Sequence, residues 1–319
     1  MSAPLAGLLV VALEQAVAAP YCTRLLAEGG ARVIKLERPE GDFARAYDSA
    51  IHGQSAYFVW LNSGKESLAV DLTQEADRAL LRAMLTKADV FIQNLKPGSV
   101  DKLGFGWGAV HALNPRLVMC SISGYGTTGP YAEMKAYDAL IQAETGLCSV
   151  TGSPGEPSKV GASICDISTG LSCYGEILKA LYARERGATG THIETSLFET
   201  LSEWMAVPLA ILEYTGKMLT GTGMDHAQLA PYGSYAAADG PIFVVIQNQR
   251  EWVQFCRAGL ERPELADDPR YSNNVARVEN RDALRAELEA VFRRYPRAEL
   301  AQKLNAAGIA CGNINDIDG

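Results

Sequence analysis

A run of about 18 consecutive apolar residues is missing from this 319-residue chain, so no membrane-spanning helix and no membrane partner are expected. Cysteine is scarce and odd in number. The seven stand at positions 22, 120, 148, 165, 173, 256 and 311, and no two form a CxxC pair. That excludes a disulfide framework and a structural zinc site, and it suits a reducing cytoplasm, the location expected here. Only four histidines occur, His52, His111, His192 and His226. Their scatter argues against a metal centre, and no spacing nominates one of them as the base of a serine nucleophile. Positive charge is in deficit, with 29 Lys and Arg against 37 Asp and Glu and a net charge of −8. An acidic surface repels nucleic acid, which removes that partner class but leaves room for a local basic pocket. The phosphate-cradling fingerprints are absent too. No GxGxxG follows the first strand and no GxxxxGK[ST] occurs. Ser123-Gly-Tyr-Gly126 is not a nucleophile elbow, because Ser121 stands where that motif has glycine. The opening Met1-Ser2-Ala3-Pro4 lacks the positive charge of a secretory leader.

What is present is an alternation. Nearly half the residues are apolar, enough for a sizeable core, and the length fits two domains or one large α/β domain with a lobe. Leu8–Leu13, Val33–Leu36, Val90–Ile92 and Leu117–Ile122 are short apolar runs that read as strands. Between them lie helical stretches. One runs over Pro20–Glu28 and is stopped by Gly29 and Gly30; another is capped by Thr73 and has Leu80, Leu81, Met84 and Leu85 on one face. Strands alternating with helices mean βαβ units and a mainly parallel sheet. A long helix follows over Asp166–Arg184, then a strand at His192–Thr195 and a helix over Leu197–Leu212. Residues 215–224 break the composition, so we divide the chain into a large α/β domain (1–214), a glycine-containing linker (215–224) and a smaller α+β lobe (225–319). In that lobe Tyr235–Ala238 and Ile242–Ile246 flank Asp239-Gly240 as a hairpin, and helices are predicted near 249–258, 280–294 and 297–307. There is no internal repeat.

Several residues can carry chemistry. Asp166 opens a helix. A carboxylate there can attack a thioester carbonyl, and the helix N-terminus favours its anionic form. On pattern alone the same residue reads as a plain helix cap. Lys35, Arg38, Lys65, Lys96, Lys102 and Lys135 are spread over the first half, several just after strands, where an open α/β sheet binds its ligands. They can hold phosphates, or be ordinary surface charge. Gly221 and Gly223 can form a mobile loop whose amides meet an oxyanion, or a simple linker.

Stretches of the chain, in order, resemble the class III CoA-transferase family, which includes formyl-CoA and carnitine CoA-transferases and α-methylacyl-CoA racemases. They are Leu25–Asp42, Asn62–Leu68, Ala88–Asn94 with Pro97-Gly98, Ser121–Gly126 with Gly129–Tyr131, Tyr137-Asp138, Asp166 with Gly170, and Ala307–Gly312. Their order and spacing cover essentially the whole chain. The resemblance implies a Rossmann-like large domain with a parallel sheet, a small lobe, and an interlocked homodimer. It implies no permanently bound cofactor; coenzyme A esters and small carboxylic acids are the substrates. Asp166 falls on the family's catalytic aspartate. Arg38, Asn94, Lys102 and Lys135 fall on CoA contacts, with Lys65 near them; Lys102 replaces an arginine and lacks its planar fork. Val17 stands where formyl-CoA transferase has glutamine, which speaks against oxalate or formate. Family members continue past Gly319, so the closing segment of the large domain is expected to be missing.

Two enzyme classes compete, with a catalytically dead, truncated homologue as a third reading. A CoA-transferase moves CoA between acids through an aspartyl mixed anhydride and an aspartyl-CoA thioester. A racemase or epimerase of 2-methylacyl-CoA moves a proton, and the racemases place a histidine where this chain has Tyr137; that difference favours the transferase. Leu229–Gly233 and Ile246–Trp252 resemble members acting on C4–C5 dicarboxylates, with Arg250 and His226 as the candidates to hold a second carboxylate. Succinyl-CoA is the expected donor.

Overall fold

The computed structural model describes residues 3–319. The described residues divide into two compact units, 3–148 with 159–217, and 149–158 with 218–319. Residues 149–158 therefore belong with the second unit, an excursion that a single division at 215–224 does not anticipate.

The first unit is built on β1 (Leu9–Leu13), α1 (Ala18–Glu28), β2 (Arg32–Glu37), α2 (Ala56–Asn62), β3 (Glu66–Ala69), α3 (Glu75–Leu85), β4 (Val90–Gln93), α4 (Ser99–Lys102), α5 (Trp107–Leu113), β5 (Val118–Ser123) and α6 (Asp138–Glu144). After α7 (Leu147–Val150) and the hairpin β6 (Gly152–Ser153) and β7 (Glu156–Pro157), the chain returns as α8 (Ile164–Glu185), β8 (His192–Ser196), α9 (Leu197–Trp204) and α10 (Ala206–Thr215). The six long strands form one parallel sheet in the order β3-β2-β1-β4-β5-β8. Val10–Leu13 and Val90–Ile92 are buried throughout, as strands covered on both faces must be, and this is why they read as unbroken apolar runs. One core lies between the sheet and α1 and α8, the other on the opposite face under α3 and α5.

Three local readings change. Thr73 does not cap α3: its hydroxyl donates to Asp71, and the N-cap position, Gln74, gives no side-chain bond. The helix expected over 197–212 is two, broken at Met205. Helix α1 begins two residues before the expected Pro20, which lies at its third position, within the first turn.

The second unit carries an antiparallel sheet, β11-β10-β9, of β9 (Tyr232–Ala237), β10 (Gly240–Val245) and β11 (Ala310–Asn313). Helices α11 (Gln249–Gln254), α12 (Glu264–Asp267), α13 (Asn274–Glu279), α14 (Arg281–Phe292) and α15 (Arg297–Ala306) complete it. Trp252, Phe255, Leu288 and Phe292 fill its separate core. No described helix is long and apolar enough to cross a membrane.

Candidate active site

In the parallel sheet the chain leaves β1 toward β2 on one side and β4 lies on the other, so the carboxyl ends of these two strands frame a topological switch point, where open α/β sheets bind ligands. A cavity of about 410 Å³ opens there. Its walls come from the segment after β1 (Gln15–Ala18), the segment after β4 (Asn94–Pro97), the end of β5, Phe43 and Tyr47, the stretch Glu133–Asp138, and Asp166 from α8.

Asp166 is brought to this cavity by glycine. A Cβ on Gly170 would stand 2.5 Å from the Ala18 carbonyl oxygen and 3.2 Å from the Cys22 amide, so only glycine lets α8 lie this close to α1. Asp166 is then not a cap. It is the third residue of α8, its carboxylate accepts no hydrogen bond among the described residues, and its own amide donates to Asp138 Oδ2 at 3.1 Å. Asp138 is the cap, supplied from α6: the same oxygen takes the Cys165 amide at 2.8 Å, and Oδ1 takes Gln142 Nε2 at 2.5 Å. The helix terminus thus has a carboxylate of its own before Asp166 is considered. Burial and the Asp138 charge push the Asp166 carboxyl up to about 7, the reverse of the expected lowering by the helix end. On the wall of the same cavity, α1 starts at Val17 and Ala18 with no capping side chain, so its first amides are not taken by a side chain.

Val17, Asn94, Lys135, Tyr137 and Asp166 therefore meet at one cavity. Arg38 lines a second one, of about 380 Å³, whose wall includes Gln15, Phe43 and Leu95, residues that also line the first; it is exposed and makes no ion pair. Lys102 is exposed and lines neither cavity. Lys96, at the rim, pairs with Glu133 at 2.6 Å.

Two nominated residues are spent on structure. Lys65 has a side chain 2% exposed and donates to Glu14 Oε1 at 2.7 Å, to the Pro20 carbonyl at 2.9 Å and to Asn62 at 3.2 Å. Asn94 spans the β1–α1 turn with both ends of its amide, taking the Gln15 amide at 2.9 Å and giving to the Gln15 carbonyl at 2.8 Å. Both hold the segment 14–20, in which Ala16 adopts φ +62°, and so fix the part of the Asp166 cavity wall formed by Gln15–Ala18. Asp42 adds to this by accepting the Ala16 amide and pairing with buried Lys35 at 2.9 Å.

The remaining nominees lie in the second unit. Gly221 and Gly223 do not present free amides: they donate to the Ser149 and Gly152 carbonyls at 3.1 and 2.7 Å, and a Cβ on Gly221 would stand 2.4 Å from the Gly152 carbonyl oxygen. They seat the 149–158 hairpin instead. His226 Nδ1 accepts the Gln228 amide at 3.0 Å, which leaves Nε2 as the nitrogen open to another partner. Arg250, near the start of α11, is exposed and unpaired. Among the described residues no cluster of His, Cys, Asp and Glu can hold a metal ion.

Sequence reasoning passed over Asp138, Phe43 and Tyr47 as parts of the site. It also found no histidine beside a serine, whereas Ser121 Oγ and His192 Nε2 lie 2.9 Å apart.

Comparison with known proteins gives this arrangement its context. Residues 5–319 match the model of CoA-transferase family III. The chain is 38% identical over 317 residues to the acetyl-CoA:oxalate CoA-transferase of Acetobacter aceti, spanning 98% of this chain and 81% of that one. It is 33% identical to the succinate–glutarate CoA-transferase of Agrobacterium fabrum, spanning 99% and 81%. A crystal structure of a CAIB/BAIF family protein from Brucella suis superposes with a TM-score of 0.84 at 38% identity, covering 100% of this chain and 85% of that one. With a match this long and an aspartate at a sheet switch point, the chain belongs to CoA-transferase family III and is a CoA-transferase of that class.

Proposed function

We propose that this enzyme moves CoA between carboxylic acids with Asp166 as the covalent carrier. The Asp166 carboxylate attacks the thioester carbonyl of a donor acyl-CoA and expels CoA thiolate, giving a mixed anhydride. The thiolate attacks the Asp166 carbonyl, releasing the donor acid and leaving an aspartyl-CoA thioester. An acceptor carboxylate repeats the two steps in reverse, leaves as its CoA ester and restores Asp166. The observation that supports this most is the state of Asp166: a carboxylate on a cavity wall, accepting no hydrogen bond among the described residues, with the uncapped start of α1 on the same cavity as a site for an oxyanion.

In this reading the first unit is the CoA-binding domain. Arg38 and Lys135, on the cavity walls, hold phosphates; Lys102, which lines neither cavity, is left out of that set, and Asn94 and Lys65 act indirectly by holding the wall. Gly221 and Gly223 anchor a loop of the second unit, and His226 and Arg250 are that unit's own candidates for binding a carboxylate. Two copies of the chain form the working enzyme, and seven unpaired thiols suit a reducing cytoplasm. The acceptor is a short dicarboxylic acid and the donor succinyl-CoA; C4–C5 acids are the first choice. Oxalate and glutarate, the acids in the relatives' names, are both dicarboxylates, so the Val17 argument against oxalate needs its own test. Proton exchange at the α-carbon is not expected, because Tyr137, 62% exposed, stands where the racemases have histidine.

A matrix of acyl-CoA donors against acceptors, read by mass spectrometry, tests the substrate. Dicarboxylates should lead in kcat/KM. Monocarboxylates exceeding every dicarboxylate would end the substrate reading, and deuterium entering the α-carbon from solvent would favour the racemase.

A further inference from the structure

On the α5 side of the sheet, β5 and β8 hold a polar group that CoA transfer does not use. Ser121 and His192 project from neighbouring parallel strands, with Oγ and Nε2 at 2.9 Å. Glu194, two residues on, brings Oε2 to 3.8 Å from His192 Nδ1. The imidazole lies against the Trp107 indole, ring centroids 5.4 Å apart at 18°, which fixes its plane. Ser121, His192, Glu194 and Trp107 all line a separate cavity of about 270 Å³ that shares only Leu95, Pro97, Ile122 and Ser123 with the Asp166 cavity.

We propose that Ser121 and His192 form a second, hydrolytic centre that cleaves small uncharged or cationic carboxylic esters. For Nε2 to accept from the Ser121 hydroxyl, the ring proton must sit on Nδ1; Glu194 Oε2, 3.8 Å from that nitrogen, lies beyond hydrogen-bond distance and favours this tautomer only through its charge. Burial lowers the histidine's pKa, Glu194 and Asp101 raise it, and burial wins, so the ring is unprotonated at neutral pH. The step balances without any further reactant than water. Ser121 Oγ bonds to the ester carbonyl carbon as its proton passes to Nε2. The tetrahedral adduct collapses, the C–O bond to the leaving alcohol breaks, and that oxygen takes the proton from Nε2. Water then attacks the acyl-serine with His192 as base, freeing the acid and returning the proton to Ser121. Hydroxyls on the cavity wall, those of Tyr125, Thr127 and Thr128, are the candidate donors to the oxyanion. The substrate class follows from charge and size. Asp101, Glu194 and Glu199 line the cavity and no lysine or arginine does, so CoA esters and other anions are disfavoured.

The test uses the whole protein with p-nitrophenyl acetate and a fluorophosphonate label. Wild type and Asp166→Ala should both turn over the ester and carry the label on Ser121 by peptide mass spectrometry. Ser121→Ala should lose turnover by roughly 10²–10⁴-fold, the usual worth of a base-activated step. His192→Gln, which keeps a hydrogen bond to Ser121 but cannot take its proton, should lose labelling while melting at the wild-type temperature. Absence of label on Ser121, or turnover that survives in Ser121→Ala and vanishes in Asp166→Ala, would overturn the proposal and leave the CoA-transfer reading untouched.

Discussion

Replacing Lys65 by methionine separates a strut from a ligand contact. Four charges are buried beneath the active-site wall, Glu14 and Asp42 against Lys35 and Lys65, with no net charge among them. Glu14, none of whose side chain is exposed, gives one oxygen to Lys65 at 2.7 Å and the other to the Thr23 hydroxyl at 2.7 Å. Burial alone would raise its pKa, but the ammonium groups of Lys65 and Lys35 hold it below the usual range. In Lys65→Met, Lys35 is left 3.7 Å from Glu14 and already committed to Asp42, so one buried negative charge goes uncompensated. Orphaning such a charge costs about 3–5 kcal/mol, whereas neutralising both partners is often close to neutral. For a protein of this size that is a fall in Tm on the order of 10 °C. Glu14→Gln should cost a similar amount, and the double variant should recover most of it, a coupling of at least about 2 kcal/mol in a mutant cycle. Urea denaturation followed by circular dichroism measures the stabilities, and initial rates on the folded fraction give KM for the acyl-CoA. The strut reading requires kcat to fall with that KM nearly unchanged. Additive losses in the cycle, or a KM for CoA esters raised at unchanged stability, would refute it and return Lys65 to the CoA site.

Three further outcomes follow from the site geometry. Asp166 titrates near 7 in the folded chain against an ordinary 3.8, so the folded state holds its proton more tightly; the stability this gives is complete below about pH 4 and is lost as pH rises through about 7. That gap corresponds to roughly 4 kcal/mol at most, so inactive Asp166→Asn should be more stable than wild type at pH 8 by thermal melting, with the advantage gone at pH 4. Asp138→Asn keeps an acceptor for the Cys165 and Asp166 amides but removes the neighbouring charge, so the limb of kcat/KM that rises with Asp166 ionisation should move to lower pH. Gly170→Ala would force a methyl to 2.5 Å from the Ala18 carbonyl, costing at least about 1–3 kcal/mol in denaturation and lowering kcat by moving α8 off α1.

The sequence disclosed most where burial was two-sided. β1, β4 and β5 are covered on both faces, so their apolar runs stood out. The strands that escaped notice are edges. Glu66–Ala69 is mostly exposed, Ala310–Asn313 likewise, and neither has an apolar rhythm to detect. The same holds at the site. Asp166 was visible because a helix visibly starts there, and the resemblance raised it above a cap. Its cap, Asp138, lies 28 positions earlier, and the partner of Lys65 lies 51 positions away. No local pattern reports such contacts, so the basic residues of the first half all looked equally free, although the Lys65 side chain is buried and Arg38 is exposed. Ser121 and His192 are 71 positions apart and meet only through the β5–β8 register.

The central claim, that Asp166 carries CoA covalently, is tested most directly by quenching the enzyme with acyl-CoA and mapping the adduct by peptide mass spectrometry, with hydroxylamine as the trapping agent. The account predicts a hydroxamate on Asp166 in the wild type, none in Asp166→Ala, and loss of transfer in that variant while its affinity for CoA stays within about tenfold, or about 1.4 kcal/mol. A variant that transfers CoA at the wild-type rate, or an adduct mapped to another residue, would contradict it.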